Sequence, residues 1–168
     1  MAENNDMNND RYPCPEPGEP REPEYMDFLL AQMRLVAGRE ERDLELYQYL
    51  IDQTMAQPMA QQQRLITNQS VLRTNRAVTR RNLEIIDETY RTITGDRLIA
   101  DKEDFITPIN YRSGLEHAIF NELTDAEIYR DMMLRVPMGM VHQTLMRLYT
   151  NTMFNIDRAN FLYTRASI

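Results

Sequence analysis

Cysteine, glycine and tryptophan are scarce in this chain of 168 residues, which has one cysteine, five glycines and no tryptophan. A single sulfur, that of Cys14, excludes an internal disulfide framework and any zinc site built from several cysteines. Methionine, with twelve residues, is far more common than glycine. This balance favours helices and weighs against an all-β fold.

Long apolar runs and an excess of basic residues are also missing. No stretch approaches the roughly 20 apolar residues that a membrane helix needs, and the N-terminus lacks the basic start and apolar segment of an export signal. The net charge is -7, from 19 basic and 26 acidic residues. We therefore expect a cytoplasmic protein whose partners include neither nucleic acid nor a membrane.

Prolines are concentrated at the N-terminus, where five of the eight lie within residues 1–23 and are interleaved with glutamates. This composition prevents helix formation and offers no apolar face to bury. We predict a disordered or polyproline-like tail over residues 1–23 and one folded domain over residues 24–168. The tail has two interpretations: it is an inert solubilising segment, or it is a docking arm in which Cys14 forms intermolecular cross-links.

Apolar residues recur at helical spacing over four segments, residues 25–55, 59–94, 114–135 and 139–164. Pro58, Gly95 and Pro137 mark the breaks between them. The stretch 96–113 has no sustained period, and we expect it to be a long connection with a short helix over 100–105. Two short connections flanking a long one predict an all-α fold, an antiparallel four-helix bundle of two helical hairpins joined by a long crossover, as in ferritin-like folds.

The first and third helices share an internal repeat. Both contain the pattern Glu-x-x-Asp-x-Glu-x-Tyr, from Glu40 to Tyr47 and from Glu122 to Tyr129. At about 100° per residue, the tyrosine seven positions after the first glutamate lies on almost the same line of the helix, and the aspartate lies about 60° away. We therefore expect these glutamates, tyrosines and aspartates to point inward together.

The second and fourth helices repeat more faintly. Thr79-x-x-Asn82 and Thr152-x-x-Asn155 are each followed by a tyrosine eight residues after the asparagine. These spacings keep the polar residues near one face of each helix. The match falls where the stronger repeat places the partner helix.

These motifs resemble the rubrerythrin-like branch of the ferritin-like superfamily, and most of residues 25–165 is similar to a diverged member of it. Glu40 and Glu122 match the family's inward glutamates, each followed by a tyrosine, and Tyr90-Arg-Thr-Ile-Thr-Gly95 is similar to the end of its second helix. The resemblance implies a bundle in which one glutamate from each of two helices and a Glu-x-x-His pair from each of the other two hold two iron or manganese ions.

The Glu-x-x-His pairs of that family are missing here, so the di-metal site is degenerate. Hydroxyls and amides stand where two carboxylates and two imidazoles would lie, which removes two negative charges and every nitrogen ligand. These neutral groups can instead form hydrogen bonds with the glutamates, since a buried unpaired carboxylate is costly. We predict a metal-free polar layer in the bundle centre, without a cofactor, built from Glu40, Tyr47, Thr79, Asn82, Glu122, Tyr129, Thr152 and Asn155.

The function expected from such a scaffold is that of a structural or binding protein without enzymatic activity, which associates with itself or with another protein. Similarity to proteins of spore-forming bacteria implies a spore-associated role at the level of the family. A second reading is a metal-binding or oxidative enzyme in which iron, manganese, magnesium or calcium is held by carboxylates. Its ligands would be Glu40, Asp43, Glu122 and Asp125. A third reading is a small-molecule carrier with a pocket in the bundle centre.

Two sets of charged residues have simpler explanations. The aspartates, at 60° from the glutamate line, can reach the bundle edge and pair with arginines. A basic strip lies on one flank of the second helix, and we expect it to pair with acids of a neighbouring helix, with the binding of an anion as the alternative. The strip consists of Arg73, Arg76, Arg80 and Arg81.

Overall fold

Four helices make up the part of the chain that the structure, a computed structural model, describes, namely residues 22–55 and 62–166. Helix α1 spans Glu22–Met55, α2 spans Gln62–Thr94, α3 spans Tyr111–Arg135 and α4 spans Met140–Ala166. These two ranges contain no strand, so the prediction of an all-α fold is confirmed. None of the four helices has the length and apolar character needed to cross a lipid bilayer. Residues 1–21, with Cys14, and the turn at Pro58 lie outside the described residues.

Local sequence explains where α2 ends and where α3 begins. Gly95 has a φ of 80° and its amide donates to the carbonyl of Arg91 at 2.8 Å, so α2 ends in the left-handed conformation that glycine adopts without strain. Asn110 caps α3, because its side chain accepts a hydrogen bond from the amide of Ser113. Periodicity alone predicts that α3 begins at position 114, whereas with this cap it begins at Tyr111.

Each helix packs against two of the other three. Helix α1 contacts α2 and α3, and α4 contacts the same two helices, so α1 lies diagonally across from α4, and α2 from α3. Two apolar clusters fill the interior, one on each side of a layer of buried polar residues. Their buried members include Leu29, Met33, Ile86, Met132 and Leu148 in the first cluster, and Leu50, Leu72, Leu115 and Leu162 in the second. The interior therefore has two apolar ends and a polar middle.

The connection between α2 and α3 runs along the outside of α1. The amide of Asp101 donates to the carbonyl of Arg34 at 3.0 Å, and the hydroxyl of Tyr49 donates to the carbonyl of Pro108 at 3.0 Å. Gly38 makes this close approach possible, since a Cβ at that position would lie 1.7 Å from the carbonyl oxygen of Asp101. The short helix expected over residues 100–105 is wrong, because this segment has no regular secondary structure and the amide of Asp101 donates to α1.

Candidate functional site

A layer of polar side chains crosses the interior where all four helices meet. Each helix contributes two or more members. The glutamates, threonines and asparagines lie between the two apolar clusters along the chain, and the two tyrosines also belong to these clusters. All eight residues predicted for the polar layer are buried, with at most 2% of their surface exposed. Two aspartates and one further asparagine are buried with them, namely Asp43, Asp125 and Asn75.

Two glutamates occupy equivalent positions at the centre of this layer. Oε1 of Glu40 accepts hydrogen bonds from the hydroxyl of Tyr129 at 2.8 Å and from the side-chain amide of Asn82 at 3.1 Å. Oε1 of Glu122 accepts the matching pair of bonds from Tyr47 at 2.7 Å and from an asparagine of α4, at 2.9 Å. The sequence repeat therefore corresponds to a repeat of hydrogen bonds.

The tyrosine bonds cross between the two halves of the repeat. Tyr47 lies seven residues after Glu40 on α1 but donates to the glutamate of α3, and Tyr129 of α3 donates to the glutamate of α1. Seven residues are almost two helical turns, so each tyrosine stands about 10.5 Å along the helix from its own glutamate. The offset places each hydroxyl beside the glutamate of the facing helix.

Other polar residues of α2 and α4 complete the network, and periodicity within the repeat did not identify them. Asn75 donates to the hydroxyl of Tyr47 at 3.3 Å and to the backbone carbonyl of Asn155 at 3.0 Å. Arg158 donates to the side-chain oxygens of both asparagines, at 3.3 and 3.0 Å. On the other side of the layer, Asn151 donates to Asn82 at 2.9 Å. Each asparagine that binds a central glutamate therefore also accepts a hydrogen bond from another side chain.

The two threonines of the layer have a different role from the one expected. Thr79 does not take part in a glutamate bond; its hydroxyl oxygen accepts from the side-chain amide of Asn155 at 3.4 Å. The hydroxyl of Thr152 is buried and has no hydrogen-bond partner among the described residues. The expectation that threonines would bind the glutamates is therefore wrong. The donors to the glutamate oxygens are asparagine and tyrosine side chains instead.

The aspartates of the repeat lie beside the layer, and their hydrogen bonds also cross between α1 and α3. Asp125 accepts a hydrogen bond from Nε of Arg39, and Asp43 accepts one from the side-chain amide of Asn121 at 2.7 Å. Arg39 and Asn121 are the residues immediately before the two glutamates. The residue that precedes each glutamate thus binds the aspartate of the facing helix.

Arginines of α1 connect this arrangement to the crossover. Arg42 forms an ion pair with Asp43 at 3.1 Å and a second with Glu103 of the crossover. Arg39 also lies 3.5 Å from Glu103. Both arginine side chains are largely buried, with 13% and 14% of their surface exposed. The crossover therefore supplies an acid that balances two arginines next to the layer.

Burial raises the pKa of both central glutamates well above the usual value of 4.5. Neighbouring carboxylates add to the rise, with Glu122 acting on Glu40 and Asp43 acting on Glu122. The hydrogen bonds from Tyr129 to Glu40 and from Tyr47 to Glu122 oppose it. The surroundings of the layer therefore favour the neutral form of each glutamate.

The aspartates and tyrosines of the layer shift in the same direction. Burial raises the pKa of Asp43 to about 7 and that of Asp125 to about 6, against a usual value of 3.8, and nearby arginines lower both. Burial also raises the pKa of Tyr47 and Tyr129 well above 10. The hydroxyls therefore keep their protons and act as donors.

The four carboxylates of the alternative metal site do not form a coordination site in this arrangement. Among the described side chains, those of residues 25–55 and 66–166, no group of three or more His, Cys, Asp or Glu is placed to hold a metal ion. Each glutamate accepts from a tyrosine and an asparagine, and each aspartate accepts from an arginine or an amide. A cation would have to displace these donors and approach Arg39 and Arg42, so the residues do not fit a metal in this geometry.

A carrier pocket would require free volume between the helices. Four cavities of about 650, 460, 440 and 250 Å³ lie in the described part of the chain, and the eight residues of the polar layer line none of the four. The layer is packed by its own side chains. These cavities therefore give no support to a small-molecule pocket in the bundle centre.

No family model, curated protein or solved structure matches this chain.

Proposed function

We propose that the helices form the antiparallel, ferritin-like bundle predicted from the sequence. Tyr129 contacts Glu40 and Glu122 contacts Tyr47, so residue numbers rise along α1 while they fall along α3. In the contacts between α1 and α2, and in those between α3 and α4, residue numbers also rise along one helix while they fall along the other. The long crossover beside α1 is the connection that such a topology requires between its two hairpins.

We propose further that the protein is a non-enzymatic member of this fold that acts as a structural or binding protein. The observation that carries this proposal is that both central glutamates already accept hydrogen bonds from a tyrosine and an asparagine. In the resembled family the corresponding glutamates hold metal ions. Here the equivalent layer joins four helices, because donors from α1, α2, α3 and α4 meet there.

An exposed apolar stripe on α4 supports association with a partner. We define the α4 stripe as Met146, Met153, Phe154 and Phe161, whose exposed fractions are 50%, 37%, 53% and 47%. Spacings of seven, eight and fifteen residues place them on one side of the helix, opposite its buried residues. Phe120 and Leu123 of α3 are also exposed, at 68% and 41%. An apolar surface of this kind is typical of a binding face, and we propose a second copy of the chain as its partner.

The second candidate function is a metal-binding or oxidative enzyme with a non-standard carboxylate site. The observation that favours it is that four buried carboxyl groups share one layer of the interior. Iron, manganese, magnesium or calcium would then have to rearrange the donors that now surround these groups. A cytoplasmic location and a spore-associated role are proposals that depend on the sequence alone.

Elemental analysis of protein purified without added metal separates the two functions. We expect less than about 0.1 equivalent of iron or manganese per chain, whereas one or two equivalents would contradict the non-enzymatic proposal. If metal is present, it should be lost from the variant Glu40→Gln/Glu122→Gln. Metal that survives in that variant would place the site elsewhere in the chain.

A further inference from the structure

A basic groove lies between α1 and α2, on the outer surface of the molecule. It has a volume of about 460 Å³, and its lining includes Gln48, Ile51 and Met55 on the α1 side. The lining on α2 includes the four arginines of the basic strip, together with Glu84. One acid therefore faces four arginines in a chain whose net charge is -7.

The arginines of the groove are largely without acidic partners. Arg81 pairs with Glu84 of its own helix at 2.9 Å, and Nε of Arg76 donates to the backbone carbonyl of Leu44 at 3.4 Å. Arg73 and Arg80 are exposed and have no ion pair with the described side chains, those of residues 25–55 and 66–166. The expectation that the strip pairs with acids of a neighbouring helix is therefore wrong. Uncompensated positive charge remains available for an anionic ligand.

The fold itself does not require arginines at these positions. The repeat that relates Thr79 to Thr152 and Asn82 to Asn155 also relates Arg73, Arg80 and Arg81 to three members of the α4 stripe. Those members are Met146, Met153 and Phe154. Equivalent sites on the two hairpins thus carry guanidinium groups in one half and apolar side chains in the other. The positive charge on this face is therefore not needed for the helices to pack.

The chain contains an acidic segment whose spacing matches the groove. Residues 16–20 read Glu-Pro-Gly-Glu-Pro, and prolines favour the polyproline II conformation, with three residues per turn and a rise of about 3.1 Å. Glu16 and Glu19 would then lie on one side, about 9.3 Å apart. Arg73 and Arg80, seven residues apart on α2, are separated by about 10.5 Å along the helix. Two carboxylates can therefore meet two guanidinium groups in one extended contact.

A segment from another molecule can meet both arginines, whereas the same chain's own segment cannot. Arg80 lies two residues before Asn82, which binds Glu40, so Arg80 is level with about residue 42 of α1 and about 30 Å along the helix from Glu22; Arg73 is about 10.5 Å farther. Glu16 and Glu19 precede Glu22 by six and three residues, which span at most about 22 and 11 Å when fully extended, so they cannot pair with both arginines of their own chain. We infer that the basic groove binds the acidic Glu-Pro segment, residues 16–20, of a second copy of this chain. This inference rests on the proposed function of self-association and names one contact that produces it.

The test is binding of a fluorescent peptide with the sequence of residues 1–21 to the full-length protein at low salt, measured by anisotropy. We expect the peptide to bind, and the dissociation constant to rise at least about tenfold for the variant Arg73→Glu/Arg80→Glu. The matched control reverses the charge of two exposed arginines elsewhere, Arg97→Glu/Arg130→Glu, and should leave binding unchanged. A peptide with Glu16→Arg/Glu19→Arg should lose binding to the natural protein and regain it with the charge-reversed groove.

Two outcomes would overturn the inference. Either the peptide does not bind, whether or not inorganic tripolyphosphate occupies the groove through Arg73 and Arg80, or the peptide binds the charge-reversed groove as well as the natural one. If light scattering still shows association that depends on the α4 stripe, the proposed function survives and only this contact is lost. If association is also absent, both proposals fail.

Discussion

The hydroxyl of Tyr47 donates a hydrogen bond to Glu122 at 2.7 Å, although the two residues are 75 positions apart in the chain. Tyr129 donates to Glu40 in the equivalent bond. Each half of the repeat therefore provides the donor for the glutamate of the other half. Neither α1 nor α3 binds its own buried glutamate through its own tyrosine, so the polar layer stabilises the packing of α1 against α3.

Removing either central hydroxyl should destabilise the protein. We expect Tyr47→Phe and Tyr129→Phe each to lower the free energy of unfolding by about 1–3 kcal/mol, because a buried carboxyl oxygen loses a donor that water cannot replace. The loss at Tyr47 should be the larger of the two, because its hydroxyl also accepts from the side-chain amide of Asn75 at 3.3 Å. Urea unfolding followed by circular dichroism measures them.

The control for these variants is Tyr163→Phe, which removes a hydroxyl that donates to Glu116 near the surface. We expect a change within about 0.5 kcal/mol there. Losses at Tyr47 and Tyr129 as small as that of the control would show that the central bonds do not stabilise the fold.

Stability should fall as the pH rises through the weakly acidic range. The pKa values of Asp43, about 7, and Asp125, about 6, lie above the usual value of 3.8, and those of Glu40 and Glu122 are raised as well. Between about pH 4 and pH 7 the folded state then binds more protons than the unfolded chain, so the free energy of unfolding decreases with rising pH. Thermal unfolding between pH 4 and pH 8 measures this slope.

Replacing the central glutamates tests the origin of that slope. In Glu40→Gln/Glu122→Gln the side chains cannot become charged, and their oxygens can still accept from tyrosine and asparagine. We therefore expect a smaller decrease in Tm between pH 4 and pH 8 than in the natural protein. An unchanged slope would assign the pH dependence to other groups.

The ion pair between Arg39 and Asp125 should be costly to break from one side. The two side chains are 13% and 2% exposed, so Arg39→Leu leaves a buried carboxyl without its cation and should cost about 3–5 kcal/mol near pH 7. The loss should shrink at low pH, because Asp125 is then neutral. Urea unfolding at pH 5 and pH 8 separates the two conditions.

The double variant Arg39→Leu/Asp125→Leu provides the control. Because it removes both charges together, it should recover most of the stability lost by Arg39→Leu. Losses that simply add would contradict a direct coupling between the two residues.

A methyl group at Gly38 should displace the crossover. The Cβ of Gly38→Ala would lie 1.7 Å from the carbonyl oxygen of Asp101, so we expect a destabilisation of at least about 1–3 kcal/mol and faster hydrogen exchange of the Asp101 amide. Gly139→Ala is the matched control, since a Cβ there would meet nothing within 4 Å. Equal effects of the two substitutions would be evidence against the tight packing of the crossover on α1.

Polar substitutions in the α4 stripe should weaken self-association. We expect Met153→Ser/Phe154→Ser to reduce the association constant at least about tenfold, measured by sedimentation velocity, because apolar anchors usually dominate a binding face. The control Ile99→Ser/Ile109→Ser changes two residues that are 79% and 93% exposed in the crossover region and should have no effect. A natural protein that is monomeric at high concentration would contradict the proposal.

Residues placed by helical periodicity could be predicted from the sequence. Glu40 and Tyr47 lie on one line of a helix, and the same pattern in α3 predicts a shared buried layer. The crossing of the tyrosine bonds could not be predicted, because it depends on how far α1 is shifted along α3. No pattern within one helix encodes that shift.

Residues without a counterpart in the repeat were missed for another reason. Asn75 lies seven residues before Asn82 and so on the same side of α2. The equivalent position of α4 is Leu148, so a comparison of α2 with α4 does not identify Asn75 as a member of the polar layer. Arg42 was missed because its partner, Glu103, lies in the crossover. The path of an irregular segment is determined by contacts made after the helices pack and not by any period.

The repeat also relates Gly38 to Phe120, one with no side chain under the crossover and the other with an aromatic ring that is 68% exposed. A segment packed on α3 as closely as the crossover packs on α1 would collide with that ring. This pair of residues therefore makes the outer surfaces of α1 and α3 different, and only α1 offers the space that the crossover occupies.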